Sequence, residues 1–205
     1  MATSDSSYWD DIHVNKKQDV SWWQESGDLW LHVLEHCDSQ ESDGAVDVGA
    51  GSSFFADVLA QRGYSPLYVN DLSASALEVI AKRFADAQQE INVLPGSVLD
   101  LELKQRVGLW HDRAVFHFLT STQEQVAYIQ SLLRNTTADA DLIIATFAPD
   151  GPESCSGLPV RRWSTQELAD FFAPEFTLGF CENRIHTTPW GGTQSFSVCV
   201  LHRIS

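Results

Sequence analysis

No apolar run in this chain is long enough to span a bilayer, so neither a membrane helix nor a membrane partner is expected. The opening Met1-Ala2-Thr3-Ser4-Asp5-Ser6-Ser7 has neither the basic nor the apolar region of a secretory signal, and residues 1–7 read as a disordered tail. Basic residues are scarce: 13 Lys and Arg stand against 28 Asp and Glu, for a formal net charge of -15. Such a field repels phosphate backbones, and the one compact basic pair is Arg161-Arg162, so nucleic acid is not an expected partner. The four cysteines, Cys37, Cys155, Cys181 and Cys199, have no metal-ligand spacing, and their scatter suits a reducing cytoplasm. A Gly-x-Ser-x-Gly elbow is also missing, which argues against a serine hydrolase. Finally, 205 residues suffice for one full hydrophobic core but are short for two, so a single domain over 1–205 is expected.

What the chain does contain is a buried-strand pattern running into a glycine turn, Ala45-Val46-Asp47-Val48-Gly49-Ala50-Gly51-Ser52-Ser53-Phe54-Phe55. Gly49 and Gly51 allow a sharp turn and close approach of a ligand, and the helix that follows offers free N–H groups. Asp47, at the end of the strand, can fix the turn or reach a cationic or amino-bearing ligand. Asp71 closes the next apolar run, about twenty residues on, where an acidic side chain reaches ribose hydroxyls. A nicotinamide site wants a small residue three positions after Gly51, and Phe54 stands there, so a dinucleotide is disfavoured.

In chain order, the tryptophan-rich residues 8–24 read as irregular. A helix carrying Leu29, Trp30, Val33, Leu34 and Cys37 on one face follows, so that residues 8–37 form a segment covering or flanking the pocket. Within it His32-Val33-Leu34-Glu35-His36 spells an inverted zinc-protease motif, but these polar residues lie off the apolar stripe and no metal is expected. Strands are expected over 66–71, 91–94, 107–111 and 141–147, and two long antiparallel ones over 176–186 and 194–203. Ser73 caps one helix; Ser121-Thr122-Gln123-Glu124 and Ser164-Thr165-Gln166-Glu167 are capping boxes for two more. Alternating units that end in a hairpin imply an α/β, Rossmann-like, doubly wound sheet with helices on both faces. Asp112, Arg113 and His117 interrupt an apolar run at the end of a central strand, where open α/β sheets bind ligands; they are the catalytic candidates. Ser97 or Asp100 could take an exocyclic amine. Residues 148–159, rich in Gly, Pro and Ser, read as a substrate loop in which Cys155 is an unreactive thiol.

With these residues in place the chain resembles the class I S-adenosylmethionine-dependent methyltransferases, and most closely a bacterial group. The likeness rests on Asp47-x-Gly49-x-Gly51 with Asp71, on Trp9-Asp10, Val20-Ser21-Trp22-Trp23-Gln24, His111 to Thr120, Thr146 to Pro159 and Thr188-Pro189-Trp190-Gly191. A more distant similarity is to eukaryotic protein-lysine methyltransferases, where Asp112-Arg113-Ala114-Val115 replaces Asp-Lys-Gly-Thr. The resemblance implies a seven-stranded sheet, six strands parallel and the last antiparallel, and S-adenosylmethionine as cofactor. It implies Asp47, Gly49, Ala50, Gly51 and Ser53 around the methionine side, Asp71 at the ribose, Leu72 beside the adenine and Ser97-Val98 in the adenine loop. His111 would meet the cofactor's amino group through its backbone. Trp22, Trp23 or Trp190 would wall the pocket, and Asp112 or His117 would orient or deprotonate an acceptor whose acidic group Arg113 binds. A small-molecule acceptor is favoured, with a protein lysine, or a protein that binds S-adenosylmethionine without catalysis, as the alternatives.

Overall fold

The computed structural model describes residues 5–16, 20, 21, 23, 24, 26, 27 and 30–204. Helix α1 (Ser6–Lys16) opens the described chain, followed by one turn of helix, α2 (Leu31–Leu34). Then come β1 (Ala45–Val48), α3 (Phe55–Arg62), β2 (Leu67–Asp71), α4 (Ala74–Asp86), β3 (Asn92–Pro95) and β4 (Val107–Arg113). The rest is α5 (Thr122–Asn135), β5 (Thr136–Phe147), the small hairpin β6 (Ser154–Cys155) and β7 (Leu158–Pro159), α6 (Thr165–Phe172), β8 (Phe176–Thr187) and β9 (Thr193–Arg203).

Seven strands form one sheet in the order β3-β2-β1-β4-β5-β9-β8. The first five are parallel, β9 runs antiparallel to both its neighbours, and β8 therefore points with the first five. This is the expected sheet, with the last strand in sequence as the antiparallel one. Central strands β1 and β4 are buried on both faces, which is why they read as apolar runs without alternation. One core, with Val33, Phe55, Leu59, Leu77, Ile80 and Phe84, lies under α2, α3 and α4; the other, with Trp110, Tyr128, Leu132, Trp163 and Phe172, lies under α5 and α6. No helix among the described residues is long and apolar enough to cross a membrane.

The N-terminal segment departs from expectation. Ser6 and Ser7 are helical rather than part of a tail, residues 1–4 lie outside the described residues, and the stretch read as irregular is helical through Lys16. No apolar stripe announces α1, because tertiary polar contacts hold it. Asp10 Oδ1 accepts from Ser73 Oγ (2.6 Å), Ser75 Oγ (2.8 Å) and Ser75 N–H (3.1 Å) at the start of α4. The Tyr8 hydroxyl donates to the Ser156 carbonyl in the β6–β7 turn. Conversely, the helix expected through Cys37 stops at Leu34, where His36 and Cys37 N–H groups bond back three residues to the Val33 and Leu34 carbonyls and tighten the chain out of helix. Its Leu29 lies outside the described residues.

Candidate functional site

The parallel strands β1, β2 and β3 end together on one side of the sheet, and the backbone there is tied into a mesh. Gly49 (φ +61°) and Gly51 (φ +54°) turn in the left-handed region. A Cβ on Gly49 would stand 2.0 Å from Val115 Cγ2, and one on Gly51 3.1 Å from His13 Cε1, so the turn passes too close to its neighbours for a side chain. The Ala50 N–H donates to the Asn70 carbonyl at 3.0 Å. Asp71 accepts from Gly51 N–H through Oδ2 and from Ser73 N–H through Oδ1, both at 2.8 Å, which fixes the carboxylate at the mouth of the turn. Burial pushes its pKa up, against the pull of those N–H groups and of His13. Asn70 Nδ2 donates to the carbonyls of Leu94 (2.8 Å) and Gly96 (3.0 Å) and so brings in the loop after β3. Arg83, unremarked in the sequence, braces the turn from outside: its guanidinium bonds the Ser52 carbonyl (3.2 Å) and Asp57 (3.1 Å) and lies over the Phe54 ring at 4.4 Å.

A cleft opens above this mesh. Of the residues expected there, Trp23, Gly49, Ala50, Gly51, Ser53, Asp71, Leu72, Ser97, Val98 and Arg113 line it. Helix α1 closes it from above with Trp9 and His13, and Val20, Trp23 and Gln24 follow, so the N-terminal segment does cover the pocket. Trp9 packs edge-on against Phe118 at 5.3 Å. Nothing in the sequence pattern marks His13, Asn70 or Glu124 as cleft residues, since they lie in an irregular stretch, a strand and a capping box.

Other expected residues lie elsewhere. Side chains alternate along β4, so Asp112 points to the face opposite Arg113. There it is fully buried and accepts from Tyr128 Oη (2.7 Å), Val115 N–H (2.9 Å) and Phe116 N–H (3.1 Å). It fixes the turn at Ala114 (φ +69°) and does not line the cleft. His117 is likewise buried off the cleft, and burial pushes its pKa down to about 3, leaving a neutral ring. His111 was placed at the strand's end, but β4 runs on to Arg113, and Arg113-Ala114 occupy that position instead. The His111 ring is buried with Nδ1 2.6 Å from Asp47 Oδ1, between Phe55 and Trp30. Asp47 is thus turned beneath the loop, bound to His111 and, at 3.4 Å, to Ser53 Oγ, rather than toward a ligand.

Asp100 is exposed and off the cleft, and so is Trp190, in the β8–β9 turn and 58% exposed; Trp22 lies outside the described residues. Cys155 lines the cleft, but burial pushes its thiol up to about 11 against the opposing Arg113 charge, so it stays protonated. The zinc-like histidines are taken up by β8: His32 Nε2 lies 2.8 Å from Glu182 Oε1, and His36 stacks on Phe180 at 3.9 Å. Among the described residues no group of three His, Cys, Asp or Glu comes together as metal ligands.

Residues 46–140 match the model of a family described as a methyltransferase domain. The chain is similar in fold to an S-adenosylmethionine-dependent methyltransferase from Anabaena variabilis, with a TM-score of 0.73 at 17% identity over 97% of this chain and 93% of that one. It is also similar to the Burkholderia thailandensis 1,6-didemethyltoxoflavin-N1-methyltransferase, solved with 1,6-didemethyltoxoflavin and S-adenosylhomocysteine bound (TM-score 0.69, 18% identity, 98% of this chain and 85% of that one). A third is a protein solved in work on conversion of a disulfide bond into a thioacetal group during echinomycin biosynthesis (TM-score 0.77, 17% identity, 97% and 93% coverage). No protein of curated function matches the sequence. The family match and the sheet together bear out the resemblance to class I methyltransferases read from the motifs.

Proposed function

We propose that this protein is an S-adenosylmethionine-dependent methyltransferase that moves a methyl group to a nucleophile on a small-molecule acceptor. The observation that carries the reading is the Asp71 carboxylate, clamped by two backbone N–H groups beside a side-chain-free turn at the strand ends. Its remaining lone pairs suit a pair of ribose hydroxyls, and the left-handed turn at Gly49 and Gly51 brings main chain rather than side chains to the cleft, where the amino-acid part of a ligand can meet it. Helix α1 and the 148–159 loop meet at Tyr8 and Ser156, and both line the cleft, through Trp9, His13 and Cys155, a cover that suits a compact acceptor better than a protein chain. The Burkholderia enzyme, whose name specifies a small heterocycle, supports the same acceptor class.

When bound, the cofactor would supply a methyl group already activated by its positive sulfur. The chain's task is then to hold a nucleophile in line and keep water out, and positioning alone can supply roughly 7–11 kcal/mol of the barrier. Trp9, Trp23 and Phe118 give apolar walls that exclude water. Arg113 offers a positive charge to an anionic group of the acceptor. Asp112 shapes the Ala114-Val115 wall, and His117 accepts from Phe147 N–H and packs behind Phe118; neither takes the acceptor's proton, since one is saturated by hydrogen bonds and the other is held neutral away from the cleft. Among the described residues, Asp71, His13 and Glu124 are the acidic and imidazole groups on the cleft wall, and this short supply of bases also favours a second reading, a protein that binds the cofactor without catalysis. Acceptor-dependent formation of S-adenosylhomocysteine separates the two.

Calorimetry with S-adenosylmethionine, S-adenosylhomocysteine and NAD tests the site directly. The first two bind and NAD does not, and Asp71→Ala weakens binding about 100-fold through loss of charge-assisted bonds to two hydroxyls. Preference for NAD, or an Asp71→Ala variant that binds as wild type does, overturns the reading.

A further inference from the structure

We propose that Glu124 reads the base of the bound nucleoside by accepting a hydrogen bond from the exocyclic amine of adenine. This deepens, and rests on, the reading of the cleft as a cofactor site. Ser97 and Asp100 are the residues that sequence offers for that amine, and neither places a carboxylate on the cleft. Asp100 is exposed and off the cleft. Ser97 Oγ already accepts the Leu99 N–H at 3.2 Å, so one of its two lone pairs is taken and the other is an uncharged acceptor, weaker toward an amine than a carboxylate.

Glu124 supplies the missing acceptor. Among the described residues, it and Asp71 are the acidic side chains lining the cleft, and Asp71 is committed at the glycine turn. Helix α5 packs on the turn that carries Ser97 and Val98, with Ser131 Oγ donating to the Val98 carbonyl at 2.6 Å, so Glu124 and the adenine loop belong to one wall. The carboxylate is preorganised by its capping box. Oε2 accepts from Ser121 N–H (3.1 Å) and Ser121 Oγ (2.6 Å), while Oε1 makes no hydrogen bond among the described residues. The Ser121 hydroxyl also holds its pKa down, so the group is ionised at neutral pH. A fixed carboxylate with one oxygen locked and the other spare is an acceptor that a base bearing an amine satisfies and a base bearing a carbonyl opposes.

Glu124→Gln separates recognition from folding, because glutamine serves equally in a capping box. Its amide oxygen must take the Ser121 donors, which turns the NH2 group toward the cleft and replaces an acceptor by a donor. The experiment is calorimetry of wild type and Glu124→Gln with S-adenosylhomocysteine and with S-inosylhomocysteine, in which hypoxanthine replaces adenine, plus thermal melts without ligand. Wild type prefers the adenine ligand by about tenfold or more, the variant abolishes or reverses that preference, and the unliganded melts coincide. Equal affinity of wild type for the two bases, or an unchanged ratio in the variant, overturns the role of Glu124 while the cofactor site stands. Failure of wild type to bind S-adenosylhomocysteine at all overturns the cofactor site, and the assignment with it.

Discussion

At one end of the cleft, β1, β2 and β3 finish in a net of backbone hydrogen bonds closed by Asp71, Asn70 and Arg83. At the other, the tips of β4 and β5 finish among rings and a single guanidinium, with Phe118, Trp9 and Cys155 around Arg113. The first end makes its shape from main chain, so any ligand must match fixed donors and acceptors there. The second makes its shape from side chains on four separate pieces of chain, α1, β4, the turn that follows it and the β6–β7 hairpin, so its specificity can change without disturbing the first. A nucleoside-bearing cofactor suits the rigid end, and a variable acceptor suits the other.

If the two ends are separable, one substitution should damage one and spare its neighbour. The largest such effect is expected at Arg113→Gln. With an anionic acceptor, kcat/KM falls about 10- to 100-fold through loss of a charge-assisted hydrogen bond, while S-adenosylhomocysteine affinity by calorimetry stays within about twofold. Loss of both together would mean that Arg113 serves mainly to balance the buried Asp47, and the division into two ends would fail. A smaller effect sharpens the comparison at Asp10. Asp10→Ala removes the acceptor for Ser73 and Ser75 and loosens α1, and with it His13 above the turn, so S-adenosylhomocysteine affinity falls about fivefold while the melting midpoint moves by only a few degrees. Calorimetry and tryptophan fluorescence of Trp9 and Trp23 measure it. An affinity unchanged from wild type would show that α1 belongs to the acceptor end alone.

The same contrast decides what was legible in the sequence. Gly49, Gly51 and Asp71 could be read because their spacing follows from local backbone geometry, a turn and the length of one strand-helix-strand unit. The individual strands and capping boxes could be read for the same reason, since each is a local pattern, whereas the seven-stranded sheet with its antiparallel last strand was implied by the family resemblance. Helix α1 could not, since Asp10 is satisfied only by Ser73 and Ser75, more than sixty positions away. The charged run after Trp110 misled in another way. Its residue types point to chemistry, but its three side chains divide between the two sheet faces, and only the strand's continuation to Arg113 shows which one meets the cleft. Glu124 was legible as a cap and illegible as a cleft residue, because nothing local says where the first turn of α5 comes to lie.

Asp112 has the least expected effect on binding, because it supports the wall between the two ends without touching a ligand, and its substitution is read in stability. Burial outweighs the donors from Tyr128, Val115 and Phe116 and raises its pKa from the ordinary 3.8 to about 6. A carboxyl whose folded pKa lies above its unfolded one favours the folded state when protonated. Its contribution is therefore fully present below about pH 3.8 and is lost as pH rises through about 6. Asp112→Asn abolishes this titration, so its destabilisation relative to wild type, on the order of 1–3 kcal/mol from a mismatched donor, should be greatest near pH 4 and shrink by pH 7.5. Urea unfolding of both proteins across that range measures it. A difference independent of pH would mean that the three donors hold Asp112 ionised throughout, making the Ala114-Val115 turn a charged support as rigid as the glycine turn it faces.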